Sequence, residues 1–321
     1  MIRAAVLNAC GTPPTITERP APVPADDEVA VTVEAVPITP LDLLCASGTS
    51  YFGAPSTPYV PGVQGVGRLA DGSAVWFGTA AGMRSGVDGS MATTVAVPSV
   101  DVVALPSGVP LTLIAALGLS AVAAHAALTH GGGLAAGEQV IVLGAGGVVG
   151  QAAVQLALLG GARRVIAVAR SASARARAEE LGAAVAIPLL PDDDVASMAD
   201  RLREVADGPV DLVLDPVFGV PAAAALRVLR PGGRLVNLGS AAGATAPVES
   251  AVLRGGSLCL VGYTNNGLST AQRAAALGVV AGHAAAGRLT VDHEIVPFDS
   301  VADAWARQDA GIAAGRIVLA L

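Results

Sequence analysis

Hydrophobic and polar positions along this chain change their period near residue 110. Before it the runs are short: Glu28–Val36 reads EVAVTVEAV, apolar at every second position, the pattern of a half-buried strand. Gly62–Leu69 and Ser73–Gly78 flank Ala70-Asp71-Gly72 and predict a hairpin, and Met91–Pro98 and Val100–Leu105 predict further short strands. From about Leu111, Ala-rich helical stretches alternate with short apolar runs. Strands are predicted at Gln139–Leu143, Arg164–Ala169, Val185–Pro188, Val210–Leu214, Arg234–Leu238 and Leu258–Gly262. Helices are predicted at Val148–Leu159, Ala172–Leu181, Val195–Ala206, Ala222–Leu229 and Ser269–Ala286, and Val291–Leu321 returns to short strands around a helix at Val301–Ala310. Strict strand–helix alternation implies crossover units and a parallel sheet covered on both faces. The chain therefore reads as α/β, and at 321 residues it exceeds what one core usually supports, so two domains are expected.

Composition narrows the chemistry. The net charge is −7 and the pI about 5.0, which argues against a nucleic-acid partner. All 19 basic residues are Arg, so a Schiff-base or Lys general-base mechanism is excluded. Cys10, Cys45 and Cys259 lie far apart, which excludes a Cys-rich zinc site and argues against a disulfide framework. Val109–Ala136 and Gln139–Ala162 lack charges for long enough to resemble membrane spans, but both are built on Ala and Gly and the second contains a glycine turn. No signal peptide is read; a cytoplasmic protein without membrane partners is expected.

That turn carries the strongest local signal. Val140–Leu143 runs into Gly-Ala-Gly-Gly-Val-Val-Gly150, which opens directly into a helix and reads, from its last glycine, Ala145-x-Gly147-x-x-Gly150. The first amides of a helix lack internal partners and carry the positive end of its dipole, and missing β-carbons let a pyrophosphate approach them. Ala145, Gly146, Gly147, Val148 and Val149 are thus candidate cofactor contacts. NAD binders place an acidic residue about 20 positions on, for the ribose 2′-hydroxyl. Here the next strand ends Val168-Ala169-Arg170-Ser171, with Arg175 close behind. Guanidinium groups attract the 2′-phosphate that a carboxylate would repel, so NADPH is the expected cofactor, bound through Arg170 with Ser171 and Arg175 assisting. Nucleotides bind at the carboxyl ends of parallel strands, which adds Val217, Gly239, Ser240, Gly262 and Tyr263, with Asn265 near enough to reach a carboxamide.

These residues resemble the medium-chain dehydrogenase/reductase superfamily, in its zinc-free quinone oxidoreductase branch. The resemblance runs through Asp27–Ala35, Ile38–Asp42, Ser47-Gly48, Pro61–Gly67, Gly89–Ala92, Gly118–Ala121, Ala145–Gly150, Arg230–Gly239 and Gly315–Leu319 in order. It implies a GroES-like β-rich catalytic domain (1–116 with 289–321) around an inserted Rossmann domain with a doubly wound sheet (117–288). It also implies a cofactor cleft between them, which Arg316 in the tail approaches, and a homodimer formed by edge strands near Leu258–Gly262. The zinc-dependent branch would place Cys near position 38 and Gly-His-Glu near 63; this chain has Ile38-Thr39 and Gly62-Val63-Gln64, so no metal is expected. Thr39 stands where the branch commonly has Asn, Gln64 where it has Glu, and His125 where it often has a large aromatic.

Without zinc, an acceptor oxygen must be polarised by hydrogen-bond donors. The candidates are Tyr51, Thr39 and His125, with Tyr59 as a further cleft residue. Each has a plainer alternative: a surface loop for Tyr51, a strand-end cap for Thr39, a core position for His125. Asp42 is expected to cap a helix. The expected activity is hydride transfer from NADPH to a quinone or enone. The alternatives are a pathway-specific enoyl or ketone reductase of secondary metabolism, and an NADPH-binding sensor without turnover.

Overall fold

The computed structural model describes residues Met1–Leu321. β1 (Ile2–Val6) and β2 (Thr15–Arg19) form an antiparallel pair that the sequence pattern did not reveal. β3 (Glu28–Pro37) follows the alternation: Val31, Val33 and Ala35 are buried while Ala30 and Thr32 face outward. α1 (Pro40–Ala46) begins with Pro40, where the missing N–H forfeits no helical bond. β4 (Gln64–Arg68) and β5 (Ala74–Gly78) form the expected hairpin, Gln64 opposite Gly78 and Arg68 opposite Ala74. β6 (Thr94–Pro98) pairs with β3, and β7 (Val102–Ala104) with β5. α2 (Leu111–Ala126) is broken at Gly118, whose φ of 27° and ψ of −130° lie outside the helical region. Leu111–Gly131 is long and apolar enough to cross a membrane by length and composition, but 67% of its most apolar window is buried inside the protein.

The next segment is a six-stranded, wholly parallel sheet. Its elements are β8 (Gln139–Leu143), α3 (Val148–Leu159), β9 (Arg164–Ala169), α4 (Ala172–Glu180), β10 (Val185–Pro188) and α5 (Val195–Val205). They continue with β11 (Val210–Asp215), α6 (Gly219–Leu226), β12 (Leu229–Asn237), α7 (Ser250–Gly256) and β13 (Cys259–Gly262). The strand order β10-β9-β8-β11-β12-β13 is doubly wound, with its reversal between β8 and β11. The central strands are buried on both faces, which is why they read as continuous Val/Ile/Leu runs. Val140–Leu143 of the second membrane-length stretch belongs to the middle strand of this sheet, and Val148–Leu159 is its first helix.

The chain then returns through α8 (Thr270–Ala285), β14 (His293–Pro297), α9 (Val301–Asp309) and β15 (Arg316–Ala320). β15 pairs antiparallel with β3 and parallel with β14, giving a mixed sheet of order β14-β15-β3-β4-β5-β7. Residues Met1–Leu119 with Thr270–Leu321 form one compact unit, and Ser120–Ser269 another. Arg273 of α8 pairs with Asp101, and the helix packs on β7.

At the amino ends of the parallel strands, a charged cluster replaces apolar packing. Arg234 grips Glu138 with two bonds of 2.6 Å, and Arg230 pairs with Asp211, which also accepts the Gln139 N–H. Burial opposes ionisation of Glu138, but the Arg234 side chain and the Ala135 N–H hold its carboxyl below the usual range. Asp211 is lowered likewise, burial being outweighed by Arg230 and Gln139. A lowered carboxylate stabilises the fold above its unfolded value of about 4, and that stability is lost as pH falls through the folded value. Asp215, raised by burial, contributes with the opposite sign, so the comparison of interest is between variants. Urea melts from pH 7 down to 3 are expected to show a steeper acid loss for the native chain than for Arg234→Met. Equal slopes would remove the cluster from the account.

Candidate active site

The glycine turn after β8 can be read one residue at a time. Gly144 has a φ of 65°, and an added β-carbon would lie 2.7 Å from Val217 Cγ1. At Gly146 it would lie 2.9 Å from the Ala174 β-carbon, and at Gly150 2.3 Å from the Gly144 carbonyl oxygen. The protein's own packing therefore demands three of the four glycines. Gly147 is different: its φ of −83° and ψ of 164° suit any residue, and a β-carbon would find nothing nearer than 3.7 Å. Gly147 is exposed and opens α3, which like α6, α7 and α9 has no side-chain cap, whereas α4 and α5 are capped by Ser171 and Asp194. An uncapped helix start beside a glycine that packing does not require leaves amides that can accept an anion. Ala145 is buried and donates its N–H to the Val168 carbonyl, Val148 is buried, and Val149 is half-buried.

At the end of β9, Arg170 is exposed and makes no ion pair. Ser171 is the N-cap of α4, its hydroxyl accepting the Ala174 N–H at 3.1 Å. Arg175 is not free to assist in the way expected: its Nη1 donates to the Arg170 carbonyl at 2.8 Å. It fixes the backbone from which Arg170 projects. Val217 is buried against the glycine turn, Gly239 is half-buried, and Ser240 and Gly262 are exposed. The Tyr263 phenol, pushed up to about 12 by burial, donates to Asn265 Oδ1 at 2.8 Å. Val217, Gly239, Ser240, Gly262 and Tyr263 thus sit at the carboxyl ends of β11, β12 and β13, as the alternation predicts. Their signal was the end of each apolar run.

In the other unit, Thr39 and Asp42 form a reciprocal cap. Asp42 Oδ2 accepts the Thr39 N–H at 2.8 Å and the Thr39 hydroxyl at 2.6 Å, and the Asp42 N–H donates back to Thr39 Oγ1. Asp42 Oδ1 accepts the Val63 N–H at 2.8 Å. Burial raises the Asp42 carboxyl, against these donors and the nearby Arg316. Because its one hydroxyl proton is committed to Asp42, Thr39 holds the turn and has none to offer an acceptor. Arg316 is buried beneath the same turn, Nη1 donating to the Ile38 carbonyl at 2.8 Å. Its guanidinium, lowered to about 10 by burial, braces Thr39 and Asp42 and is not held out toward a nucleotide. Tyr51 is 74% exposed, its ring tilted against that of Phe52 with centroids 4.3 Å apart, while Tyr59 is buried and pushed up by burial and by Asp42. His125 is half-buried on α2, its carbonyl accepting the Thr129 hydroxyl.

Sequence reasoning singles out Gln64 only as a departure; the structure gives it a task. The break at Gly118 frees the Leu119 N–H, and Gln64 Oε1 accepts it at 2.7 Å together with the Trp76 indole N–H at 3.0 Å. Two donors on one oxygen fix the orientation of this 1%-exposed amide. A β-carbon at Gly118 would sit 2.0 Å from that oxygen, so glycine is required there. At the positions where a zinc-dependent enzyme would hold its metal, Ile38 and Val63 are apolar and buried. No three His, Cys, Asp or Glu side chains converge anywhere in the chain, so its donor set does not fit zinc.

The family model described as zinc-binding dehydrogenase matches residues 148–279. The quinone oxidoreductase of Thermus thermophilus, solved alone and with NADPH, is 30% identical and superposes with a TM-score of 0.83, covering 99% of this chain and 100% of that one. The chain belongs to the quinone oxidoreductase branch of the medium-chain dehydrogenase/reductase superfamily. Human synaptic vesicle membrane protein VAT-1 homolog is 32% identical over 238 residues, 72% of this chain and 59% of that protein. A phenolphthiocerol/phthiocerol polyketide synthase of Mycobacterium tuberculosis is 30% identical over 228 residues, 67% of this chain but 10% of that protein. The chain thus spans less than two thirds of these two relatives.

Proposed function

We propose that this chain is an NADPH-dependent oxidoreductase that reduces a quinone or an electron-poor alkene without a metal. The observation that carries the reading is Gly147, an exposed glycine at the start of α3 that neither packing nor backbone angle requires and a pyrophosphate explains. When bound, NADPH supplies the hydride. The amides opening α3 take the pyrophosphate, the exposed Arg170 takes the 2′-phosphate, and Ser171 and Arg175 fix the backbone between them. The NADPH complex of the Thermus relative supports the same choice of cofactor. Tyr51 is the catalytic candidate best suited to donate to an acceptor oxygen, because its phenol is exposed and makes no hydrogen bond within the protein. Thr39 and Arg316 shape the turn that precedes it, and His125 remains a candidate through its half-buried ring.

The polyketide synthase relative favours a second reading, in which the acceptor is a carrier-linked enone or ketone of secondary metabolism. An acceptor panel separates the two. NADPH oxidation at 340 nm is expected with simple benzoquinones and naphthoquinones, at rates above those with thioester-linked enones. The reverse order would establish the second reading, and NADPH binding without oxidation by any acceptor would establish a sensor.

A further inference from the structure

Three turns meet where the strand order reverses, and one buried carboxylate ties two of them. Asp215, at the end of β11, is fully buried, and its Oδ1 accepts the N–H of Val217 at 3.0 Å and of Phe218 at 2.7 Å. Its Oδ2 accepts Asn237 Nδ2 at 2.9 Å from the end of β12, and the same amide reaches the Gly239 carbonyl at 2.8 Å. The Leu238 N–H donates to the Asp215 carbonyl and the Ala242 N–H to the Val217 carbonyl. The fit leaves no slack. A β-carbon on Gly239 would fall 2.5 Å from the Pro216 carbonyl oxygen, and one on Gly144 would fall 2.7 Å from Val217.

Phe218 sits in this block at φ 57° and ψ −153°, a region populated almost only by glycine. Such a conformation is strained and persists only where the surroundings impose it. The imposing group is Asp215, which draws the Phe218 N–H inward. The strain is not needed to start a helix, since a glycine at the same place would start α6 without it. A buried carboxylate that enforces a strained turn, at the carboxyl ends of neighbouring strands beside the reversal, is an arrangement that shapes a surface.

We infer that Asp215, with Asn237, is a positioning residue of the cofactor site, holding the 216–219 and 238–242 turns in the form that receives the dinucleotide. The inference rests on the proposed binding of NADPH. Neither side chain touches the nucleotide; both act through backbone.

The test is Asp215→Asn. Its carbonyl oxygen still accepts the two backbone amides, but its NH2 group faces that of Asn237, donor against donor. In the folded variant, the Kd and KM for NADPH are expected to rise roughly tenfold, with kcat at saturating NADPH within about twofold of the native value. Hydrogen exchange at Val217 and Phe218 is expected to accelerate in the absence of any nucleotide. Phe218→Gly adopts the turn without enforcement, so adding it to Asp215→Asn is expected to recover part of the lost affinity. Unchanged NADPH affinity in Asp215→Asn, or parallel loss of kcat and affinity without rescue, overturns the positioning role alone. Failure of the native chain to bind NADPH overturns the cofactor reading and this role with it. Should Asp215→Asn not fold, Asn237→Ala, which leaves both backbone bonds of Asp215 in place, decides by the same criteria.

Discussion

Gly147→Ala is expected to weaken NADPH binding about 10- to 100-fold while changing the melting temperature little. The two effects have different origins. The backbone at Gly147 is already extended, and a methyl group meets nothing within 3.7 Å. Alanine in a compatible conformation gains about 0.4–1 kcal/mol through the entropy of the unfolded chain, which offsets its poorer fit at a helix N-cap. With nucleotide present, the same methyl group stands between the α3 amides and a phosphate oxygen. Hydrogen bonds to charged groups are worth about 1.5–3 kcal/mol, and each 1.4 kcal/mol or so is tenfold in affinity. Gly150→Ala is the contrasting case, because its β-carbon would strike the Gly144 carbonyl and disturb folding and binding together. Calorimetric melts with NADPH fluorescence titrations separate the two. A destabilised Gly147→Ala with native affinity would mean that the glycine serves the fold.

Arg170→Ala is expected to lower NADPH affinity about 10- to 100-fold and to leave NADH affinity as it was. Arg170 is the free guanidinium at the end of β9, whereas Arg175 spends its own on the Arg170 carbonyl. Parallel titrations with both cofactors read the difference directly, and added salt should narrow it. An equal loss for both cofactors would assign Arg170 to the pyrophosphate or to the fold, and no loss would leave the 2′-phosphate without its partner.

Much of this is visible in the order of side chains because the signals are local. A central parallel strand is apolar on both faces, so Gln139–Leu143 and Arg164–Ala169 are found at their predicted bounds. β12 starts at Leu229, earlier than the expected Arg234, because Pro231 and Gly232 sit in a register shift that β11 tolerates near Val210–Leu212. α6 starts at Gly219, three residues before the expected Ala222, since the Asp215 turn feeds it directly. The site is legible where it follows from strand ends and glycines, and opaque where it depends on pairs distant in sequence. No pattern tells Gln64 from any buried amide until Leu119 and Trp76 arrive beside it, 55 and 12 positions away. Arg316 lies in the family's tail motif and is expected to approach the nucleotide; its bond to Ile38, 278 positions back, places it under the Thr39 turn. Thr39 reads as a donor until Asp42, three residues on, is seen to claim its proton.

The central claim is that the amides of α3 and the guanidinium of Arg170 together hold NADPH. Isothermal titration of the native chain with NADPH and with NADH, at one ionic strength, tests it most directly. The structure predicts saturable one-site binding of NADPH at least about tenfold tighter than NADH; no heat with either cofactor, or tighter binding of NADH, would contradict it.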